Sequence, residues 1–304
     1  MSIIERALGK LGKGDQAPPE PIPQATPVAE TNTIERSVAP QAVPAEPQPS
    51  SRISAPARSI NIDLARMERL GMLTPQSARS QLGEEMRHIK RPLLANAFGP
   101  NAQRDKNRNL IMITSSLPAE GKSFCAINLA VSLASELDRT VLLVDADVAR
   151  PRLLQYLGLR AETGILDVLR DSKIDLGDVL LRTNIEKLSI VPAGTASTRS
   201  TELLASDAMT ALIEEMAGRY PDRIIIFDSP PLLATSEAAI LARHMGQVIM
   251  VVEADKTPKA VVKEAAAMLE GACDIVGMVL NKTQINQGSA GYYGYGYGYG
   301  AETK

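Results

Sequence analysis

The sequence predicts an α/β protein whose mostly parallel sheet carries helices on both faces. Six aliphatic runs after Asn109 are each too short for a helix and apolar on both faces, as buried parallel strands are. Helical stretches such as residues 122–137 and 236–246 lie between them. Alternating strands and helices are typical of a parallel sheet covered on both sides. The six runs are residues 110–114, 141–145, 188–193, 223–228, 248–253 and 275–281.

The chain begins with a segment that could form a short helix over residues 1–14. Ile4, Leu8 and Leu11 would lie on one stripe of that helix. A helix of this length is not stable alone in water, so the segment is either a frayed terminus or a helix that docks on a partner.

A proline-rich segment follows over residues 15–60. Ten of the 20 prolines fall between Pro18 and Pro56, among Ala, Gln, Glu and Ser. This composition buries too little apolar surface to offset chain entropy, so we expect a disordered, extended linker. The predicted order of the remaining segments is a helical lead-in over 61–108, the α/β domain over 109–286 and a flexible Gly/Tyr tail over 287–304.

Composition narrows the class of protein. Hydrophobic residues make up 44% of the 304 residues, which is enough for a sizeable core. The formal charge of -2 suggests neither nucleic acid nor anionic lipid as a partner. Two cysteines give no disulfide framework and fit a reducing compartment. No apolar run approaches the roughly 20 residues that span a bilayer, and the first residues lack a signal-peptide pattern, so we expect a cytoplasmic protein.

Residues 116–123, SLPAEGKS, follow the first predicted strand and open a helix. They match the phosphate-loop pattern Gly-x-x-x-x-Gly-Lys-Ser/Thr, except that Ser116 replaces the first glycine. Backbone N–H groups of such a loop surround phosphate oxygens, and the N-terminus of the following helix favours negative charge. The expected fold is therefore that of the phosphate-loop nucleotide hydrolases. The predicted nucleotide-binding residues of the loop are Ala119, Glu120, Gly121, Lys122, Ser123 and Phe124.

Three aspartates follow predicted strands. Asp145 and Asp147 come at the end of VLLVDAD, and Asp228 ends RIIIFD. Aspartates in such places could merely cap the next helix. Because the carboxyl ends of parallel strands share one edge with the phosphate loop, we expect these carboxylates, together with the Ser123 hydroxyl, to serve Mg²⁺.

These motifs together resemble those of a known family, the bacterial tyrosine kinases of polysaccharide export. These are phosphate-loop enzymes unrelated to eukaryotic kinases. The resemblance covers about residues 80–300 and rests on the motifs SSLPAEGKS, VLLVDADVARP and FDSPP, together with a terminal tyrosine cluster. The nearest subgroup is the autokinases encoded beside exosortase and exopolysaccharide systems.

The resemblance implies roles for the motif residues. Lys122 and Ser123 would hold the phosphates of ATP and Mg²⁺. Asp145 would activate the tyrosine hydroxyl and help to organise the metal. Asp147 and Asp228 would support the metal site. These four charged residues, Lys122, Asp145, Asp147 and Asp228, are the expected catalytic set.

Further positions match the family less fully. Arg150 matches a basic residue after the acidic pair, although Ala149 stands where many members have a second arginine. Asn281 in VLNKT is expected to contact adenine. The resemblance also assigns self-association to the motif EEMRHIK, through Glu84, Arg87 and Lys90. Its last position is lysine, which weakens any bidentate contact there, and without the family a solvated helix face would be the preferred interpretation.

One departure separates related proteins. Cell-division and plasmid-partition ATPases share the second and third motifs but carry an extra lysine early in the loop. This chain has Leu117 at that place. The difference, together with the tail, argues against the partition class.

The terminal segment SAGYYGYGYGYGAETK alternates tyrosine with glycine. Glycine prevents packed structure, so a mobile chain of phenols could enter the active site of a neighbouring subunit. A phenol has a pKa of about 10 and needs a base at neutral pH, for which Asp145 is the candidate. The alternative is a tail that associates by aromatic stacking. The predicted phosphate acceptors are Tyr292, Tyr293, Tyr295, Tyr297 and Tyr299.

The resemblance also implies partners. We expect a ring-like homo-oligomer, a membrane chain-length protein that activates the kinase and recruits it to the inner face of the membrane, and a phosphatase that resets the tail. We expect no nucleic acid. The sequence is also compatible with two other functions. One is a positioning ATPase whose tail only promotes assembly, and the other is an adaptor that binds nucleotide but catalyses no reaction.

Overall fold

The structure is a computed structural model, and it describes residues 58–100, 107–219 and 222–284. Eight strands of these residues form one sheet in the order β1-β4-β5-β3-β6-β2-β7-β8. The strands are β1 Arg58–Ile60, β2 Leu110–Ser115, β3 Thr140–Asp145, β4 Leu181–Thr183, β5 Leu188–Val191, β6 Arg223–Asp228, β7 Gln247–Glu253 and β8 Val276–Asn281.

The six predicted strands are confirmed, and they run parallel to one another from β5 to β8. Helices connect them. The helices of the described segments are α1 Leu64–Arg69, α2 Gln81–Phe98, α3 Lys122–Ala134, α4 Leu153–Tyr156, α5 Ile165–Arg170, α6 Leu176–Val179, α7 Ser200–Leu204, α8 Asp207–Arg219, α9 Glu237–Ala242 and α10 Lys259–Ala267.

Two apolar layers cover the two faces of the sheet. Side chains alternate between the faces of a strand, so Leu110 and Met112 of β2 point into one layer, while Ile111 and Ile113 point into the other. The second layer includes α3, which is buried along its whole length except at Phe124. Helix α2 packs over α3, so α3 lies between α2 and the sheet. The strand–helix alternation in the sequence therefore gives the predicted mostly parallel, helix-covered sheet.

Strand β8 departs from the prediction that every strand is buried on both faces. It is the last strand of the sheet and pairs only with β7 in the described part of the chain. Val276, Met278 and Leu280 point to one face and are 39%, 57% and 62% exposed. An apolar run alone does not distinguish an edge strand from a central one, so the prediction that β8 is buried on both faces was wrong.

The short strands β1 and β4 were not predicted, because three residues carry no periodic signal. Strand β1 occupies the end of the segment expected to be a disordered linker, so that expectation is wrong for residues 58–60. The rest of the linker and the predicted helix over 1–14 lie outside the described residues. Among the described helices, none has the length and apolar character to cross a membrane.

Candidate active site

The loop that joins β2 to α3 has the sequence SLPAEGKS and a backbone typical of a phosphate-binding turn. Ala119 and Gly121 both adopt left-handed φ angles, 70° and 103°. The φ of Gly121 favours glycine, and a Cβ there would also lie 2.0 Å from the Asn281 amide nitrogen, so that side chain would have to move. Helix α3 begins at Lys122, and its N-terminus faces the concavity of the loop.

Lys122 lies within a cluster of acidic side chains. Its Nζ is 2.6 Å from Asp147 Oδ2 and 3.6 Å from Asp228 Oδ1. It also lies 3.4 Å from Ser123 Oγ. The lysine ammonium therefore occupies the centre of the predicted site, where it can attract the phosphates of a nucleotide.

The topology of the sheet brings the aspartates together. Strands β3 and β6 are neighbours, and Asp145 lies opposite Asp228 in their register. Asp147 follows two residues later, and its Oδ1 accepts a hydrogen bond of 3.2 Å from the Arg150 N–H. All three carboxylates are buried. The structure thus brings together Lys122, Ser123 and the three aspartates, as the motifs predicted.

The electrostatics of this cluster are unbalanced. Burial raises the pKa of the Asp145 carboxyl well above its ordinary value of 3.8, and the charges of Asp228 and Asp147 raise it further. Burial also raises the pKa of Asp228, against the opposing effect of the Lys122 ammonium. Burial acts to lower the pKa of Lys122, but the attraction of the aspartates, led by Asp228, leaves it above 10.5. One ammonium cannot neutralise three carboxylates, so the site favours a further cation.

The donor set fits Mg²⁺. Asp145 Oδ1 and both carboxylate oxygens of Asp228 are buried and have no hydrogen-bond partner within the described segments. Such oxygen atoms are the ligands that Mg²⁺ prefers, directly or through its waters. No group of three His, Cys, Asp or Glu side chains in residues 58–100, 107–219 and 222–284 has the geometry of a complete metal site. Mg²⁺ commonly completes its shell with water and substrate phosphates, so a partial protein set is what a nucleotide-bound ion requires.

An open cleft of about 730 Å³ lies against this cluster. Its volume is within the roughly 300–1,000 Å³ of small-molecule sites. The phosphate loop, the residues after β3 and β6 and the end of β8 line it, so one cavity reaches both the charged cluster and an apolar rim. Its lining residues include Lys122, Ser123, Phe124, Asp147, Arg150, Arg152, Tyr156, Pro230, Pro231, Asn281 and Lys282.

The end of β8 supports the phosphate loop from outside. Asn281 Nδ2 donates a 2.8 Å hydrogen bond to the Glu120 carbonyl, and Lys282 Nζ donates one of 2.8 Å to the Ala119 carbonyl. Lys282 also pairs with Glu253 at 3.1 Å. The predicted contact of Asn281 with adenine stays a prediction. Lys282 was not predicted as a site residue, because nothing in its local sequence indicates that it returns to the loop.

The three residues expected to mediate self-association lie on α2 and differ in exposure. Arg87 pairs with Glu84 at 2.6 Å, and both side chains reach solvent. Lys90 is buried, and its Nζ contacts Glu136 at 2.6 Å and the Ser132 carbonyl at 2.8 Å. Lys90 therefore ties α2 to the end of α3 within one subunit. Of the three, only Glu84 and Arg87 have side chains that a neighbour could reach, and self-association stays a prediction.

The predicted acceptor tyrosines, residues 292–299, lie outside the described residues. Tyr156, in contrast, lines the cleft and was not predicted as a site residue. Its position could not be read from the sequence, because it depends on how the segment after β3 folds back over the site.

Known proteins similar to this chain include bacterial tyrosine-protein kinases. No protein-family model matches the chain. The tyrosine-protein kinase YwqD of Bacillus subtilis is 32% identical over 236 residues, which cover 76% of this chain and 93% of YwqD. CapB of Staphylococcus aureus, also named a tyrosine-protein kinase, is 30% identical over 218 residues, which cover 71% of this chain and 91% of CapB.

Some relatives are much longer than the matching region. EpsB of Ralstonia nicotianae, another protein with a tyrosine-protein kinase name, is 33% identical over 215 residues. The match covers 67% of this chain but only 28% of EpsB, and the match to EpsB of Ralstonia solanacearum covers 25% of that protein. The chain thus spans about a quarter of these longer relatives.

Solved structures agree with the fold. The chimerical protein CapA2B2 superposes with a TM-score of 0.59 and 26% identity, over 75% of this chain and 93% of CapA2B2. The kinase domain of the Escherichia coli tyrosine kinase ETK superposes with a TM-score of 0.58 and 25% identity, over 80% of this chain and 95% of that domain. Each superposition covers three quarters or more of this chain rather than one motif.

Proposed function

This chain belongs to the family of bacterial tyrosine kinases, and we propose that it is an autokinase that transfers phosphate from ATP to its C-terminal tyrosines. The observation that carries the proposal is the buried cluster in which Lys122 Nζ lies 2.6 Å from Asp147 and 3.6 Å from Asp228, beside the open cleft. That arrangement suits phosphoryl transfer, where catalysis is mostly positioning and charge neutralisation.

The placement of these groups supports the following reaction. The phenol oxygen of a tail tyrosine attacks the γ-phosphorus of ATP, and the bond to the ADP oxygen breaks. Lys122 and the loop N–H groups neutralise charge on the phosphates. Mg²⁺, when bound, would be held near Ser123, Asp145, Asp147 and Asp228 and would offset the charge on the phosphate oxygens.

Asp145 is the proposed proton acceptor for the phenol. Without a bound metal, burial raises the pKa of its carboxyl above the ordinary value, so the group accepts a proton more readily than an exposed aspartate does.

We also propose how the subunits and partner proteins act together. Neighbouring copies would present their tails to one another, so that phosphorylation occurs between subunits. Each added phosphate carries about -1.5 to -2 charges, so a phosphorylated tail should leave the acidic site. We further propose that a membrane chain-length protein activates and recruits the kinase from the cytoplasm, that a phosphatase resets it, and that the cycle regulates exopolysaccharide polymerisation or export.

The test uses the tail tyrosines. The purified chain is incubated with ATP and Mg²⁺, alone and with a candidate activator, and phosphotyrosine is measured by immunoblot. We expect a signal in the wild type and none after Tyr292, Tyr293, Tyr295, Tyr297 and Tyr299 are all changed to Phe, while the affinity for ATP stays the same. The reason is that the substitution removes only the acceptor hydroxyls.

Two outcomes would contradict this proposal. ATP turnover without phosphotyrosine would indicate a positioning ATPase. Binding of ATP with neither turnover nor phosphotyrosine, even with the activator, would indicate an adaptor.

A further inference from the structure

The Glu120 side chain is buried inside the phosphate loop and is 2% exposed. Its Oε2 accepts a hydrogen bond of 2.7 Å from the Leu117 N–H, within the loop itself. Its Oε1 accepts hydrogen bonds from the Thr257 hydroxyl and, at 3.4 Å, from the Glu253 N–H. The carboxylate therefore joins the loop to the connection between β7 and α10.

This environment is unusual for an acidic side chain. Buried carboxylates are commonly paired with a cation, yet Glu120 has no ion pair within the described ranges. Its partners are two backbone N–H groups and one hydroxyl. Burying a charge without such bonds is costly, so the observed conformation of the loop depends on all three donors being in place.

The backbone on either side of Glu120 is left-handed, and it is strained at Ala119. Ala119 has a φ of 70° although it is not a glycine, and Gly121 has a φ of 103°. Left-handed conformations of non-glycine residues cost free energy and persist only where the surroundings hold them. Glu120 lies between these two residues, with its side chain fixed by Thr257 and its carbonyl by Asn281.

We propose that Glu120 is a positioning residue whose carboxylate, held by Thr257, keeps the phosphate loop in its nucleotide-binding shape before the nucleotide arrives. The inference rests on the nucleotide site of the proposed function. A preformed loop avoids the entropy cost of ordering on binding. Without the contact between Glu120 and Thr257, the N–H groups of the loop would have to be ordered when the nucleotide binds, and this would lower the affinity for the nucleotide.

The test measures nucleotide affinity directly, by titration of the full chain with a fluorescent ATP analogue and Mg²⁺. We expect Glu120→Gln to raise the Kd by about tenfold, because a hydrogen bond to a charged group is worth roughly that factor. The amide cannot accept from Leu117 and from Thr257 at once. Thr257→Val should raise the Kd by about three- to tenfold. Thr257→Ser keeps the hydroxyl, so its Kd should stay close to that of the wild type.

A second readout separates positioning from a general loss of stability. Asp167→Asn is the control outside the cleft, since Asp167 is also buried and its Oδ2 accepts two backbone N–H bonds, from Gly164 at 2.8 Å and Thr195 at 3.1 Å, while its Oδ1 pairs with Arg170 at 3.6 Å. It should lower the melting temperature without changing the nucleotide Kd. In kinetics, Glu120→Gln should raise the KM for ATP more than it lowers kcat. The combined Glu120→Gln and Thr257→Val variant should be little worse than Glu120→Gln alone, because the Thr257 hydroxyl acts on the loop through the Glu120 carboxylate.

A Kd within twofold of wild type in both Glu120→Gln and Thr257→Val would overturn the inference. So would an equal loss of affinity in Asp167→Asn. Because affinity is measured without turnover, an absence of tyrosine phosphorylation would contradict the proposed function and leave this result standing.

Discussion

Replacing Lys122 with methionine is expected to lower phosphotyrosine formation by about 10²- to 10³-fold, the cost of removing a charge-stabilising group from such a site. Methionine keeps the length of the side chain but not the ammonium, which lies 2.6 Å from Asp147 and 3.6 Å from Asp228. Without it, nothing on the side chain attracts the phosphates, and three buried carboxylates lose their counter-charge.

The same substitution should reduce stability when no divalent cation is present. Removing one partner of a buried ion pair costs about 3 kcal/mol, which corresponds to a fall in melting temperature of roughly 5–10 °C. Added Mg²⁺ should recover more stability in Lys122→Met than in the wild type, because the variant site has greater excess negative charge. A variant that retains more than a tenth of wild-type phosphotyrosine formation would contradict the assigned role of Lys122.

Replacing Asp145 with asparagine is expected to have opposite effects on activity and stability. Phosphotyrosine formation should fall by about 10³-fold, because the proposed proton acceptor is lost together with a metal-site oxygen. Stability without Mg²⁺ should instead rise, by about 1–2 kcal/mol. The Asp145 carboxyl is 2% exposed and repelled by Asp228 and Asp147, so a neutral side chain of the same shape relieves that repulsion.

The stability difference should depend on pH in a defined direction. The folded-state pKa of Asp145 is raised well above its ordinary value of 3.8, so the folded protein binds this proton more tightly than the unfolded chain does. The protonated Asp145 therefore stabilises the wild-type fold at low pH, and this stabilisation is lost as pH rises from 3.8 through the folded-state pKa. Asparagine has no such proton. The advantage of Asp145→Asn should be absent at pH below 3.8 and should grow as pH rises towards neutrality.

Thermal melts of Asp145→Asn and wild type across this pH range measure the effect. Asp147→Asn is the matched control, since Asp147 is the closest partner of the Lys122 ammonium and its neutralisation removes that attraction together with its repulsion of Asp145 and Asp228. It should not stabilise the protein. If Asp145→Asn were no more stable than wild type at neutral pH, the electrostatic description of the site would be wrong.

Much of the fold could be predicted because the sequence patterns that indicate it are local. Each central strand is a short aliphatic run, and helical patterns lie between the runs, so the parallel sheet follows from run length and from the alternation of strands and helices. The charged cluster was also predictable. Its residues follow strand ends, and the carboxyl ends of parallel strands meet at one edge. The register that sets Asp145 opposite Asp228 realises that expectation.

Other features depend on contacts between distant residues. Glu120 was predicted to contribute through the loop backbone, whereas its side chain reaches Thr257, which lies 137 positions away in the sequence. Lys90 was expected on a surface for self-association, but its ammonium reaches the end of α3, which no motif indicates. The exposure of β8 follows from its place at the edge of the sheet, which strand composition does not encode.

The central claim is that the charged cleft of one subunit phosphorylates the tyrosine tail of another, and a mixing experiment tests it most directly. Lys122→Met, which keeps its tail, is incubated with ATP, Mg²⁺ and a differently tagged variant that has the intact cleft but Phe in place of Tyr292, Tyr293, Tyr295, Tyr297 and Tyr299. Neither variant alone should gain phosphotyrosine. In the mixture, phosphotyrosine should appear on the Lys122→Met chain. A mixture that stays unmodified while wild type modifies itself under the same conditions would contradict the account.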